Sequence, residues 1–149
     1  MKCVSCKLVV RLFVTAVVFT ADMSCSPRLK NSIPTVDFCE LSNHLGKQVR
    51  VNCDYSGVEE YSRLSRPGKE GCLNTYSVDL WIPRHDLLPK GIQKKFTAVQ
   101  NSYWNRYLEL SIVGVFDTGR VGGYGHLGSK NAQFTVEKFE RIKLIRRSN

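Results

Sequence analysis

The sequence predicts a mainly β domain of five strands and two short helices that closes into a small barrel. Three observations carry that prediction. Short alternations of apolar and polar residues recur between turn-rich breaks, which is the period of half-buried strands. Only two stretches have helical spacing, and one of them falls between the third and fourth strands. A chain of 149 residues can bury one ordinary core but not two, so these elements must share it. An open α+β sheet with helices on one face uses the same elements and is the alternative.

The elements follow in order. Ser26 to Ser32 is polar, with Pro27, Arg28 and Lys30, and residues 26–34 read as a tether to a domain spanning 35–146. Pro34 opens a short helix near Val36 to Leu45. There Phe38, Leu41 and Leu45 repeat at i, i+3 and i+7, Asp37 and Glu40 have capping-box spacing, and Gly46 supplies a stop. In Lys47 to Tyr55, Val49, Val51, Cys53 and Tyr55 alternate with Arg50, Asn52 and Asp54, so this is a strand that points Cys53 to the core. Ser56 and Gly57 turn the chain into a weaker second strand, Val58 to Leu64. Ser65 to Thr75 is a loop by its Pro67, Gly68 and Gly71.

Tyr76, Val78, Leu80 and Ile82 alternate with Ser77, Asp79 and Trp81 in a third strand stopped by Pro83, which leaves Trp81 on the polar face. From Lys90 to Tyr103, Ile92, Phe96, Val99 and Tyr103 form one face of a helix. Tyr107 to Phe116 is a fourth strand with Leu108, Leu110 and Ile112 on one side. After a glycine-rich loop, Ala132 to Ile145 is a long fifth strand. Phe134 and Val136 share a phase with Ile142 and Leu144 whereas Phe139 is out of phase, which predicts a bulge near Lys138. Residues 147–149 read as a frayed tail.

Residues 1–25 have a separate character. Lys2, Lys7 and Arg11 precede the apolar run Leu12 to Ala21, and Cys25 follows, the pattern of an export signal. Lipidation at Cys25 would anchor the mature chain to the cell envelope. Asp22, three residues before the Cys, argues against a lipoprotein site, and cleavage after Ser26 with release is the other outcome; an uncleaved segment would act as a membrane anchor. The formal net charge is +9 for the whole chain and about +7 once the first 24 residues are removed. That sign suits anionic partners in the envelope, or nucleic acid.

Cys39, Cys53 and Cys72 remain for the folded body, an odd number. One disulfide plus one buried thiol is the simplest solution in an oxidising compartment. Cys53 with Cys72 is the preferred pair because Cys72 sits in a loop, and Cys39 with either of the others is left open. No two of these cysteines have the spacing of a zinc site, so no metal is expected.

A helix, three strands in meander order, a helix and two closing strands describe the OB-fold, a five-stranded barrel. Leu41 to Val51, LSNHLGKQVRV, resembles the entry into the first strand of OB-like proteins. Gly123 to Val136, GYGHLGSKNAQFTV, resembles a turn and strand of small exported bacterial proteins of unknown function. The resemblance covers Val36 to Ile145 and implies a fold and an export habit, without an activity or catalytic residues.

In an OB barrel the loops after the first and fourth strands flank the ligand face. Arg120, Tyr124, His126 and Lys130 would stand at that mouth, and Tyr61, Arg63, Ser77, Asp79 and Trp81 would come from the second and third strands. Aromatic faces beside guanidinium groups suit sugar rings or single-stranded nucleic acid. Gly123, Gly125 and Gly128 spell G-x-G-x-x-G, but strand follows where a dinucleotide site needs a helix, so a turn is expected there. His85 beside Asp86, and His126 with Asp117, are the available acid/base pairs, and neither comes with a nucleophile. A nuclease-like hydrolase would want more than Asp54, Glu59 and Glu60 near the first strand. The sequence therefore points to a noncatalytic exported domain that binds an envelope ligand or a protein partner without a cofactor. A single-strand nucleic-acid binder is the alternative, and a hydrolase comes after it.

Overall fold

The computed structural model describes residues 32–68, 72 and 76–147, all within one unit, Asn31–Asn149. The expected export signal, the lipidation site Cys25 and most of the tether lie outside the described residues. Six strands form one mixed sheet: β1 (Thr35–Val36), β2 (Gln48–Ser56), β3 (Arg63–Ser65), β4 (Val78–Trp81), β5 (Arg106–Thr118) and β6 (Ala132–Arg146). Their order is β1-β2-β3-β4-β6-β5, and β5 pairs back onto β2, so β2 to β6 make a five-strand ring of hydrogen bonds. Every pairing in the ring is antiparallel except β4 with β6. Helix α1 (Lys90–Gln100) lies between β4 and β5 in the chain, where the sequence places a helix. The flanking strand β1 runs parallel to β2 and has no counterpart in the sequence reading.

Alternation decides the core. Val49, Val51, Cys53 and Tyr55 of β2, Leu108, Leu110, Ile112 and Phe116 of β5, and Ala132, Phe134 and Val136 of β6 are all buried in one cluster. Phe96 and Val99 bring α1 onto it, with the Phe96 ring edge-to-face on Tyr55. Helix α1 is shorter than its apolar spacing predicts. It ends at Gln100, and Tyr103 stands exposed in the following turn.

The first helix is a 3₁₀ segment, Phe38–His44, with Asp37 as its cap accepting from the Cys39 N–H at 2.9 Å. At three residues per turn Phe38 and Leu41 share a face, and both are buried. Leu45, which an α-helix would have put on that face, is exposed. The second strand also differs from expectation. Gly57 has φ +117° and a Cβ there would lie 2.5 Å from the Tyr61 carbonyl oxygen, so the chain doubles back at once. Residues Glu59–Tyr61 form a 3₁₀ turn, and only Arg63–Ser65 are extended.

The disulfide joins Cys39 to Cys72, not Cys53 to Cys72. The alternation that directs Cys53 inward also removes it from reach of a surface loop, and burial pushes its thiol pKa up. Cys53 is expected to resist iodoacetamide in the folded protein and to react only on unfolding. Peptide mapping checks this, and labelling under native conditions would place the thiol outside the core.

The bulge near Lys138 is present, and it is double. Gly114 faces Val136, Val113 faces Lys138, Ile112 faces Phe139 and Ser111 faces Arg141, so Glu137 and Glu140 are both extra. The first extra residue turns odd positions inward and makes Phe139 a core neighbour, in edge contact with Phe96. The second restores the even phase, to which Ile142 belongs. Both extra glutamates reach across β5 to β2. Gln48 donates to Glu137, and Arg50 makes a bidentate pair with Glu140 at 2.6 and 3.0 Å. Val113 lies opposite Arg50 on this outer face and is buried although it is no part of the core cluster. Beyond β6 the Arg147 N–H donates to the Asn105 carbonyl at 2.8 Å, tying it to the turn before β5.

Candidate functional site

The glycine-rich loop folds back over the outer face of the sheet. A bridge between Tyr124 and Lys130 closes it, with both N–H groups donating to the partner's carbonyl. The Gly123 N–H donates to Arg120 and the Ser129 N–H to His126, so these amides are spent within the turn and do not form a phosphate cradle. A Cβ on Gly128 would lie 1.9 Å from the Gly122 carbonyl oxygen, which explains a glycine there by close backbone approach. Tyr124 is buried, and its hydroxyl donates to Asp117 at 3.1 Å. Burial first, then Asp117, hold this phenol pKa above its ordinary value. Arg120 lies over the Tyr124 ring at 5.9 Å.

Tyr124 is therefore the pin of the loop and offers no ring to a ligand, contrary to its expected place at the mouth. What it positions is Arg120 and His126. Leu127, next to His126, is held at φ +52° with its side chain in solvent, a conformation that a branched residue adopts only when its neighbours impose it.

Arg120 and His126 line a cleft of about 960 Å³. Asp79 and Trp81 of β4, Gln133 of β6, Glu60 and Ser62 line it as well. Asp79 and Gln133 are register partners in the parallel β4–β6 pair, and the Gln133 amide donates to Asp79 at 3.3 Å. His126 Nε2 lies 3.8 Å from Glu60, and the Tyr61 ring meets the His126 ring at 6.3 Å. Trp81 is 53 % exposed and Tyr61 63 %, so both rings stand in solvent at or beside the cleft.

Leu80 and Ile82 line the same cleft as Trp81, together with Tyr55, His85, Phe96 and Gln100. Successive side chains in a strand leave opposite faces, so a cleft touching Leu80 and Trp81 must wrap around the edge of β4. The pairing explains how. Among the described residues β3 meets β4 only at Leu64 and Val78, because the 3₁₀ turn Glu59–Tyr61 takes the chain away where pairing with Asp79 to Trp81 would continue. The seam of the ring between β3 and β4 is thus one residue pair long, and Glu60, Ser62 and Asp79 to Trp81, where the pairing would continue, line the cleft.

Of the residues expected to bind ligand, Trp81, Arg120 and His126 come together in the cleft, with Tyr61 at its rim. Arg63, on β3, and Lys130, at the base of the loop, are not among the lining residues. Of the residues in the two acid/base pairs, Asp117 accepts from Tyr124 and His85 packs edge-on to Phe96. Glu60, Gln100 and Gln133 were not anticipated. Alternation alone puts Gln133 outward, but its meeting with Asp79 depends on a parallel pairing that no local pattern announces. Comparison with protein-family models, with curated proteins and with solved structures finds no match for this chain.

Proposed function

We propose that the chain is a noncatalytic OB-like barrel domain, exported or held at the cell envelope, that binds a glycan segment in the cleft beside Trp81. The strand order of the ring, with a helix between its third and fourth strands, supports the OB-like assignment. The observation that carries the ligand class is a half-exposed indole in a cleft also lined by polar and charged side chains. Trp81 offers an apolar plane, and Asp79, Gln133, Arg120 and His126 line the same cleft with donors and acceptors. A polyhydroxylated ring needs that combination, an apolar face to stack and a rim of hydroxyls to satisfy.

Charge separates this reading from nucleic acid. The chain is strongly basic overall, yet the cleft presents the carboxylates of Asp79 and Glu60 beside Arg120. A phosphate backbone would meet two like charges there, whereas a neutral sugar would use them as acceptors.

Trp81→Ala is expected to weaken glycan binding about tenfold, the equivalent of roughly 1.4 kcal/mol of stacking. Calorimetric titration of the parent and Trp81→Ala proteins with soluble N-acetylated oligosaccharides checks this, and Trp81 fluorescence of the Trp104→Phe protein locates the binding at the cleft. Saturable quenching that is insensitive to salt supports the reading. Quenching only by single-stranded oligonucleotides, with an affinity that falls steeply as salt rises, would replace it with the nucleic-acid alternative.

A further inference from the structure

The turn between α1 and β5 carries a second surface, built from residues the cleft does not use. Tyr103 and Trp104 are 46 % and 64 % exposed and stand edge to face, with ring centroids 5.5 Å apart. Two large aromatic rings side by side in solvent are unusual unless something covers them. Strand register places arginines next to them. Arg106 pairs with Arg146 across β5 and β6, and the Arg147 N–H donates to the Asn105 carbonyl in the turn itself. Arg147 lies over the Tyr107 ring at 5.8 Å.

The acidic neighbours are Asp54 and Glu109, which face each other across β2 and β5, and Glu109 is 3.9 Å from Lys143. Positive charge is in excess.

We propose that this turn docks on an anionic phospholipid surface, with Trp104 and Tyr103 at headgroup depth and Arg106, Arg146 and Arg147 against the phosphates. Shape favours a bilayer over a polymer strand. The rings sit in a turn between two elements and meet edge to face, so they do not offer parallel platforms on which successive bases would stack. An amphipathic indole in such a turn suits the interfacial layer, where its ring is half-buried and its N–H stays wet. Arginines beside it gain from the negative surface potential of anionic lipid.

The chain contains two tryptophans, Trp81 and Trp104, so the Trp81→Phe protein reports on this turn alone. Full-length Trp81→Phe chain is mixed with vesicles of equimolar phosphatidylcholine and phosphatidylglycerol, and separately with vesicles whose acyl chains are brominated. The expected result is a blue shift of Trp104 emission and its quenching by the brominated chains. Arg146→Gln and Arg147→Gln should each weaken the response about fivefold. Sedimentation of the chain with vesicles while Trp104 emission stays unchanged would overturn the proposal, because some other segment would then be the attachment. An equal response to pure phosphatidylcholine would overturn it too, as would a response to single-stranded oligonucleotide in place of vesicles. The glycan titration reads the other tryptophan, so either result stands without the other.

Discussion

Replacing Cys39 or Cys72 by serine is expected to lower the unfolding free energy by about 3.5 kcal/mol. The bridge spans 33 residues of sequence, and closing a loop of that length removes roughly this much chain entropy from the unfolded state. The loop it closes contains the whole of β2, the 3₁₀ turn Glu59–Tyr61, and β3. Its effect should therefore reach the sheet as well as the 3₁₀ segment Phe38–His44. A second tie follows nearly the same path: Arg66 donates to Asp37 at 2.8 Å, joining the cap of that segment to the start of the same loop. An exposed pair of this kind contributes at most about 1 kcal/mol and cannot substitute for the covalent link. Urea unfolding of the full chain with and without reductant is the measurement. If the midpoint is the same in both, the bridge constrains nothing that folding does not already fix.

The largest effect expected from a single methyl group is at Gly114. A Cβ there would lie 2.0 Å from the Thr135 carbonyl oxygen and 2.8 Å from the Phe134 ring, so either backbone must move or the pairing must break. Gly114 is also where the first extra residue of β6 enters, opposite Val136. Gly114→Ala should cost roughly 3 kcal/mol or more, the upper range for overpacking a tight site. Serine at Val113 is the useful control, because it changes a buried position next door without adding bulk against β6. Thermal unfolding followed by near-ultraviolet dichroism checks both. A Gly114→Ala protein within about 1 kcal/mol of the parent would mean that β5 and β6 do not approach as closely as described.

What the sequence made legible was periodicity, and periodicity is local. The alternation in β2, β4 and β5, the helical face of Phe96 and Val99, and the phase slip at Phe139 could all be read because each depends on neighbours within a few residues. What could not be read depends on partners far along the chain. The 3₁₀ turn at Glu59–Tyr61 replaced most of a strand because Gly57 brings the backbone onto itself, and residues 58–64 alone look extended. Local pattern leaves Cys39 open as a partner for Cys72, because pairing requires knowing that the Phe38–His44 segment lies beside Cys72. The candidate site divides in the same way. Alternation places Trp81 on the outer face, whereas no local pattern announces the burial of Tyr124, which comes from a loop folding back onto Asp117. The short seam between β3 and β4, next to which the cleft lies, follows from how few residues those two strands share.

The two extra residues in β6 also bear on how this chain can change its length. Neither is opposed by a residue of β5, so loss of Glu137, of Glu140 or of both leaves Val136, Phe139 and Ile142 opposite Gly114, Ile112 and Leu110. Loss of Glu137 sacrifices the tie to Gln48, and loss of Glu140 the tie to Arg50. Gaps at this point in related chains should therefore come one residue at a time, a signature of descent visible in length before any residue is compared.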